Sequence, residues 1–186
     1  LVAAIFRLMP AFNFAASLLQ WHKKHGRHNL PWQHPRTPYR VAQSEIMLQQ
    51  TQVSTVIAYF NSFIAKFPTL ADLAKAPSTE VMERWAGLGY YSRARNLHKS
   101  AQICLEKYDA DLPRTYDELV ALPGIGASTA GAILSQAYGI PYAILDGNVK
   151  RVLSRFHGVS GDSNANVTQK QLWQLAESHV PARKSA

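Results

Sequence analysis

A chain of 186 residues is long enough to bury a proper core, as one large domain or two small lobes. Hydrophobic residues make up 47% and charged residues 17%, which excludes a disordered chain. Twenty Lys and Arg against twelve Asp and Glu give a formal charge of +8 and a pI near 9.7, suited to a polyanionic partner and also met in basic proteins with no nucleic-acid role. The single cysteine, Cys104, excludes an intrachain disulfide framework and any all-cysteine metal site within these residues. No apolar run approaches the roughly 20 residues that cross a bilayer.

The apolar opening, 1–14, contains Arg7, Pro10 and Asn13, lacks a signal-peptide plan and reads as a vector-derived or misread start. Phe14, Leu18, Leu19 and His22 then recur at helical spacing before Gly26. Apolar helices follow over 39–50 and 53–67, the second ending before Pro68. Thr69 with Asp72, and Thr115 with Glu118, have capping-box spacing, Asp being the weaker partner. Ser78 opens a short helix ending near Gly87, and Ser92 a longer amphipathic one reaching Tyr108, in which Cys104 reads as a buried, inert thiol. A Pro-Gly-x-Gly turn leads into helices over 128–138, 147–157 and 167–179, with 142–145 the one extended piece. Segment 158–166 is a polar loop, there is no internal repeat, and the close at 181–186 looks unfinished. Nine or ten helices on short connections predict an all-α, orthogonally packed fold.

Leu122-Pro123-Gly124-Ile125-Gly126-Ala127-Ser128 is the segment best suited to hold a phosphate. Its glycines allow a tight turn and close approach of a ligand, and the helix restarting near Ser128 offers unpaired N–H groups and the positive end of its dipole. An ordinary corner between helices has the same spelling. Two acidic residues lie in uncharged surroundings. Glu45 falls in helical phase with Val41 and Leu48, where partial desolvation would raise its pKa towards a proton-donating form, although a buried Glu bonded to a neighbouring helix end fits the position too. Asp146 stands at a helix start, as a plain N-cap or as a carboxylate held ionised and fixed in direction. Facing one another, the two would form the carboxylate pair that glycosidic cleavage uses.

Gln49, Gln50, Thr51 and Gln52 close the Glu45 helix with groups able to bond base edges, or simply with a solvated helix end. Segment 87–95 joins Gly87, Gly89, Tyr90, Tyr91, Arg93 and Arg95, residues that wedge into base stacks and bind phosphates, or pack a corner with arginines in water. Lys150, Arg151 and Arg155 form a basic stripe, Trp32 reads as packing, and Gln33 is a candidate pocket lining. Seven histidines include no i, i+4 pair with an acidic third ligand, so no metal site is expected.

The ordered motifs LPWQ (30–33), SEIMLQQTQV (44–53), GLGYYSRARNLHK (87–99), LPGIGASTAGAI (122–133) and ILDGNVKRVL (144–153) resemble those of the adenine-specific mismatch DNA glycosylases. These belong to the helix-hairpin-helix base-excision superfamily, alongside endonuclease III. The resemblance implies a six-helix barrel lobe over 38–145, its hairpin element at 116–138, beside a second helical lobe built from 14–37 and 146–186 and left incomplete. It implies hydrolysis of the N-glycosidic bond of adenine mispaired with 8-oxoguanine or guanine, the base being flipped from double-stranded DNA. Glu45 would match the general acid, Asp146 the carboxylate that stabilises the sugar cation, and Asn148 a residue orienting that carboxylate. Gln50, Leu88 and Tyr90 would enter the helix around the lesion, with Gln49 and Thr51 nearby. Gly124, Gly126 and Ser128 would belong to the phosphate-binding hairpin, whose carbonyls at Val120, Leu122 and Ile125 would hold a monovalent cation.

Bifunctional relatives that cleave oxidised pyrimidines carry a lysine where this chain has Ser128, so the resemblance favours a monofunctional enzyme. An inactive DNA-binding fragment is the reading from another class. The family continues into four cysteines that bind a [4Fe–4S] cluster and usually a domain recognising 8-oxoguanine, both absent from this chain. The resemblance further implies a monomer without membrane contact, in the bacterial cytoplasm at the nucleoid.

Overall fold

The computed structural model describes residues 12–181, so the apolar opening before Phe12 and the last five residues lie outside the described part. The described chain is helical, without strands. Helix α1 (Phe14–His25) starts on Asn13, whose Oδ1 accepts the Ala16 N–H, and a 3₁₀ turn follows at Pro31–Gln33. Then come α2 (Pro38–Leu48), α3 (Val53–Lys66), α4 (Leu70–Lys75), α5 (Ser78–Trp85) and α6 (Tyr91–Lys107). The chain continues through α7 (Tyr116–Val120), α8 (Ala127–Ala132) with a π-turn at Ile133–Ala137, α9 (Gly147–His157) and α10 (Asn166–Ser178).

Local chemistry sets most of these boundaries. The Thr69–Asp72 box forms fully: Asp72 N–H donates to Thr69 Oγ1, and Thr69 N–H to Asp72 Oδ2. At Thr115 only half forms, because the Glu118 carboxylate accepts the threonine hydroxyl instead of the backbone N–H. Ser78 opens α5 as expected, whereas α6 opens at Tyr91, one residue ahead of Ser92. Pro77 precedes α5, and Tyr90, in the left-handed region at φ 48°, precedes α6. The expected helix over 128–138 widens into the π-turn, where Tyr138 N–H reaches the Ile133 carbonyl. Residues 139–146 carry no regular secondary structure, and Gly131 lets them lie close: a Cβ there would sit 2.2 Å from the Ala143 carbonyl oxygen.

Two apolar cores result. The larger gathers α2 to α8 around Trp85, Phe60, Phe63 and Ile133, each fully enclosed and each contributing roughly 1.5–3 kcal/mol by leaving water. Trp32 joins this core edge-on to Phe60. Cys104 is fully buried here, and burial pushes its thiol up to about 11, as an inert cysteine requires. The smaller core holds Leu145, Leu153, Leu172 and Ala176, with Phe14 of α1 against it, so α1 shares a core with α9 and α10. Helix α2 packs against α3, α6 and α8, which places its C-terminal end at the centre of the assembly.

Candidate active site

An open cleft of about 770 Å³ is lined from four directions: the end of α2 with its following loop, the start of α6, the start of α8 and the start of α9. Glu45 enters from α2. Its helical phase places it on the inner side, and burial pushes its carboxyl up to about 7, with the Asp146 charge adding to the rise. A single hydrogen bond opposes that shift, donated by Gln136 Nε2 to Glu45 Oε1 at 3.3 Å. Gln136 rides on the π-turn, and nothing in its sequence surroundings marks it as a partner of Glu45.

Asp146 lies across the same cleft as the N-cap of α9, its Oδ1 accepting the Val149 N–H at 2.8 Å. The cap and the cleft lining are therefore one residue in two roles. Asn148 also faces the cleft, but its Oδ1 accepts from Arg151 at 2.9 Å and no hydrogen bond joins it to Asp146. The segment before Asp146 is pinned elsewhere: Leu145 N–H donates to Ser128 Oγ at 3.1 Å. Ser128 thus ties the hairpin helix to the carboxylate-bearing turn.

The hairpin between α7 and α8 spends its two glycines differently. Gly124 has φ +78°, and a Cβ there would press within 2.8 Å of Asn96 Cβ on α6. Gly126 has φ −89° and ψ 177°, extended backbone open to any residue, and a Cβ there would meet nothing within 4 Å. The expectation that both glycines take conformations closed to other residues holds for Gly124 alone. Gly126 caps α8 without a side-chain bond, so the cap residue leaves the first N–H groups of that helix unsatisfied.

At the rim, Gln50 and Tyr90 both occupy the left-handed region, φ 57° and 48°, and Tyr90 is 58% exposed. Gln49 also lines the cleft, whereas Thr51 turns to Arg93. Leu88 lies in the larger core at 6% exposure, so in this conformation it is withdrawn from any partner. Arg93 departs furthest from expectation, being neither a phosphate ligand nor solvated. At 8% exposure it donates to the Ile46, Met47 and Gln49 carbonyls at the end of α2. It also donates to Thr51 Oγ1 and to the Leu88 and Gly89 carbonyls. Gln33 is no pocket lining either, since its amide closes the 3₁₀ turn through Leu30 N–H and the Arg27 carbonyl.

Among the described residues no group of three or more His, Cys, Asp or Glu could hold a metal ion. A four-thiolate iron–sulfur cluster does not fit this chain, whose one cysteine is enclosed in the core.

A helical hairpin, a second core shared by α1, α9 and α10, and a carboxylate pair in the cleft between define a base-excision architecture. Residues 43–178 match the HhH-GPD superfamily of base excision DNA repair proteins, and the chain belongs to that superfamily. It is 47% identical over 173 residues to the adenine DNA glycosylase of Buchnera aphidicola subsp. Acyrthosiphon pisum (strain APS), covering 93% of this chain and 49% of that protein. The Homo sapiens adenine DNA glycosylase is 46% identical over 180 residues, covering 91% of this chain and 33% of its own length. The chain thus spans about half the length of the bacterial relatives it matches, or less of the human one. Among solved structures, a thermostable thymine-DNA glycosylase superposes with TM-score 0.81 at 31% identity, over 91% of this chain and 77% of that one. A trapped endonuclease III–DNA covalent intermediate shares the fold, with TM-score 0.75 at 23% identity over 90% and 76%.

Proposed function

We propose that this chain is the catalytic portion of a monofunctional adenine DNA glycosylase, acting on adenine mispaired with 8-oxoguanine or guanine in double-stranded DNA. The observation that carries the reading is a carboxyl held near neutral protonation, Glu45, in one cleft with a carboxylate fixed as a helix cap, Asp146. In this mechanism the flipped adenine occupies the cleft and Glu45 gives its proton to a ring nitrogen. The C1′–N9 bond breaks with its electron pair going to the base, and the positive charge left on the sugar is stabilised by Asp146. Water adds at C1′ and its proton returns to solvent or to Glu45. Ser128 offers no amine for a Schiff base and is engaged with Leu145, so the abasic sugar is released uncut.

Duplex contacts fall to Gln49, Gln50 and Tyr90 at the rim and to the N–H groups that follow Gly126. Leu88 would have to leave the core before entering a base stack, and Thr51 acts through Arg93. The carbonyls of Val120, Leu122 and Ile125 are hard donors of the kind a monovalent cation takes; that of Leu122 already accepts the Ile125 N–H at 3.2 Å, leaving one lone pair.

The test is single-turnover cleavage of a duplex bearing one A:8-oxoguanine pair, split between alkaline and neutral work-up. Strand breaks only after alkali are expected. Breaks without alkali would overturn the monofunctional reading, and tight binding without base release would reduce the chain to a DNA-binding remnant.

A further inference from the structure

We infer that Arg93 is a positioning residue, whose guanidinium clamps the 49–51 and 88–90 loops together and thereby fixes the rim through which an extruded base would pass. The inference rests on the glycosylase reading for its consequence and on the geometry for its existence. Six acceptors converge on one side chain, three at the end of α2, one on Thr51 and two in the 88–89 turn. The guanidinium carbon also lies 5.5 Å from the Trp85 ring centroid and 5.2 Å from that of Tyr90.

The two rim residues with left-handed backbones, Gln50 and Tyr90, are the ones these bonds bracket. The Gln49 carbonyl precedes Gln50 and Thr51 Oγ1 follows it; the Gly89 carbonyl precedes Tyr90. Each left-handed non-glycine residue costs about 1–2 kcal/mol and persists only where its surroundings over-determine it. A free phosphate-binding arginine would leave its fork open to solvent, whereas this fork is closed over carbonyls. Lysine cannot replace it, since one compact ammonium cannot span six acceptors on two loops.

The test compares Arg93→Lys and Thr51→Val with the parent chain, reading amide hydrogen exchange without DNA and then the ratio of Kd for an A:8-oxoguanine duplex to that for a matched duplex. Arg93→Lys is expected to speed exchange about tenfold or more at 49–52 and 88–91 while α3 amides keep their protection. It should also cut the preference for the mispaired duplex about tenfold and leave the pH midpoint of base release unchanged. Thr51→Val, a near-isosteric change that removes one of the six contacts, should move both readouts in the same direction by about two- to threefold. Exchange that stays at parent level in both loops, or rises equally in the core, would overturn the clamp. If Arg93→Lys does not fold, parent-level exchange in Thr51→Val overturns it alone. Exchange is read without DNA, so a chain that shows the loop signature yet releases no adenine loses the glycosylase reading and keeps the clamp.

Discussion

Glu45→Gln separates the chemistry of the acid from its cost to the fold. Burial lifts the carboxyl from the model-peptide value of 4.5 to about 7, so the folded chain binds that proton more tightly than the unfolded chain. Stability from the protonated form is therefore complete below pH 4.5 and is lost as pH rises through 7. A carboxyl raised from 4.5 to about 7 corresponds to roughly 3 kcal/mol in full, and about 2 kcal/mol of it falls between pH 5 and pH 8. Glutamine keeps the shape and an acceptor for Gln136 but never ionises. Arg93, Arg151 and Asp146 also line the cleft, and their charges are common to both proteins. Urea unfolding of parent and variant at pH 5 and pH 8 reads the effect directly. The variant should be nearly as stable as the parent at pH 5 and about 2 kcal/mol more stable at pH 8. Base release by the parent should fall about tenfold per pH unit above 7, and release by the variant should be lost with duplex binding retained. Parallel stability curves for the two proteins would refute a proton held on Glu45 near neutrality.

The hairpin glycines give a paired prediction. Gly124→Ala should cost about 1–3 kcal/mol, because alanine must take φ +78° against Asn96 Cβ, and thermal unfolding would show the drop in Tm. Gly126→Ala should leave Tm unchanged or slightly raised, since its methyl group would meet nothing within the protein, yet weaken duplex binding about tenfold if the proposed phosphate contact is made there; unchanged Kd would remove the hairpin from the DNA contact. Ser128→Ala strands the Leu145 N–H and loosens the turn that carries Asp146, costing about 1–3 kcal/mol. Single-turnover base release should slow with Kd unchanged, and a normal rate would show that Asp146 needs no tie to the hairpin.

Much of the fold could be read from the chain because its signals are local. Helical spacing, Pro68 after α3, the Thr69 box and the Asp146 cap each act within four residues, and α9 falls on the expected 147–157. What failed was local too, but decided from elsewhere. Ser92 has the chemistry of a cap, yet α6 begins one residue earlier, at Tyr91 behind Tyr90. Tyr90 takes its left-handed backbone beside the Arg93 guanidinium, and that side chain is held by the Ile46, Met47 and Gln49 carbonyls, which no local sequence window contains.

The site divides along the same line. The environment of Glu45 was legible because apolar neighbours in helical phase are enough to imply desolvation, and the structure adds only its size. Asp146 was legible as a cap, and the cap is what aims it. The partners that tune these groups were not: Gln136 reaches Glu45 from 91 residues away, and Arg93 reaches the end of α2 across 44 to 47. Gln136 looks like an ordinary polar residue, and Arg93 reads as a phosphate ligand or a solvated arginine. Gly126 is the reverse case. Its glycine is conspicuous in sequence, but the folded chain gives no internal reason for it, neither a positive φ nor a neighbour that a methyl would strike. The same hairpin therefore carries one glycine that serves the packing against α6 and one that its neighbours leave unconstrained, and only the coordinates tell them apart.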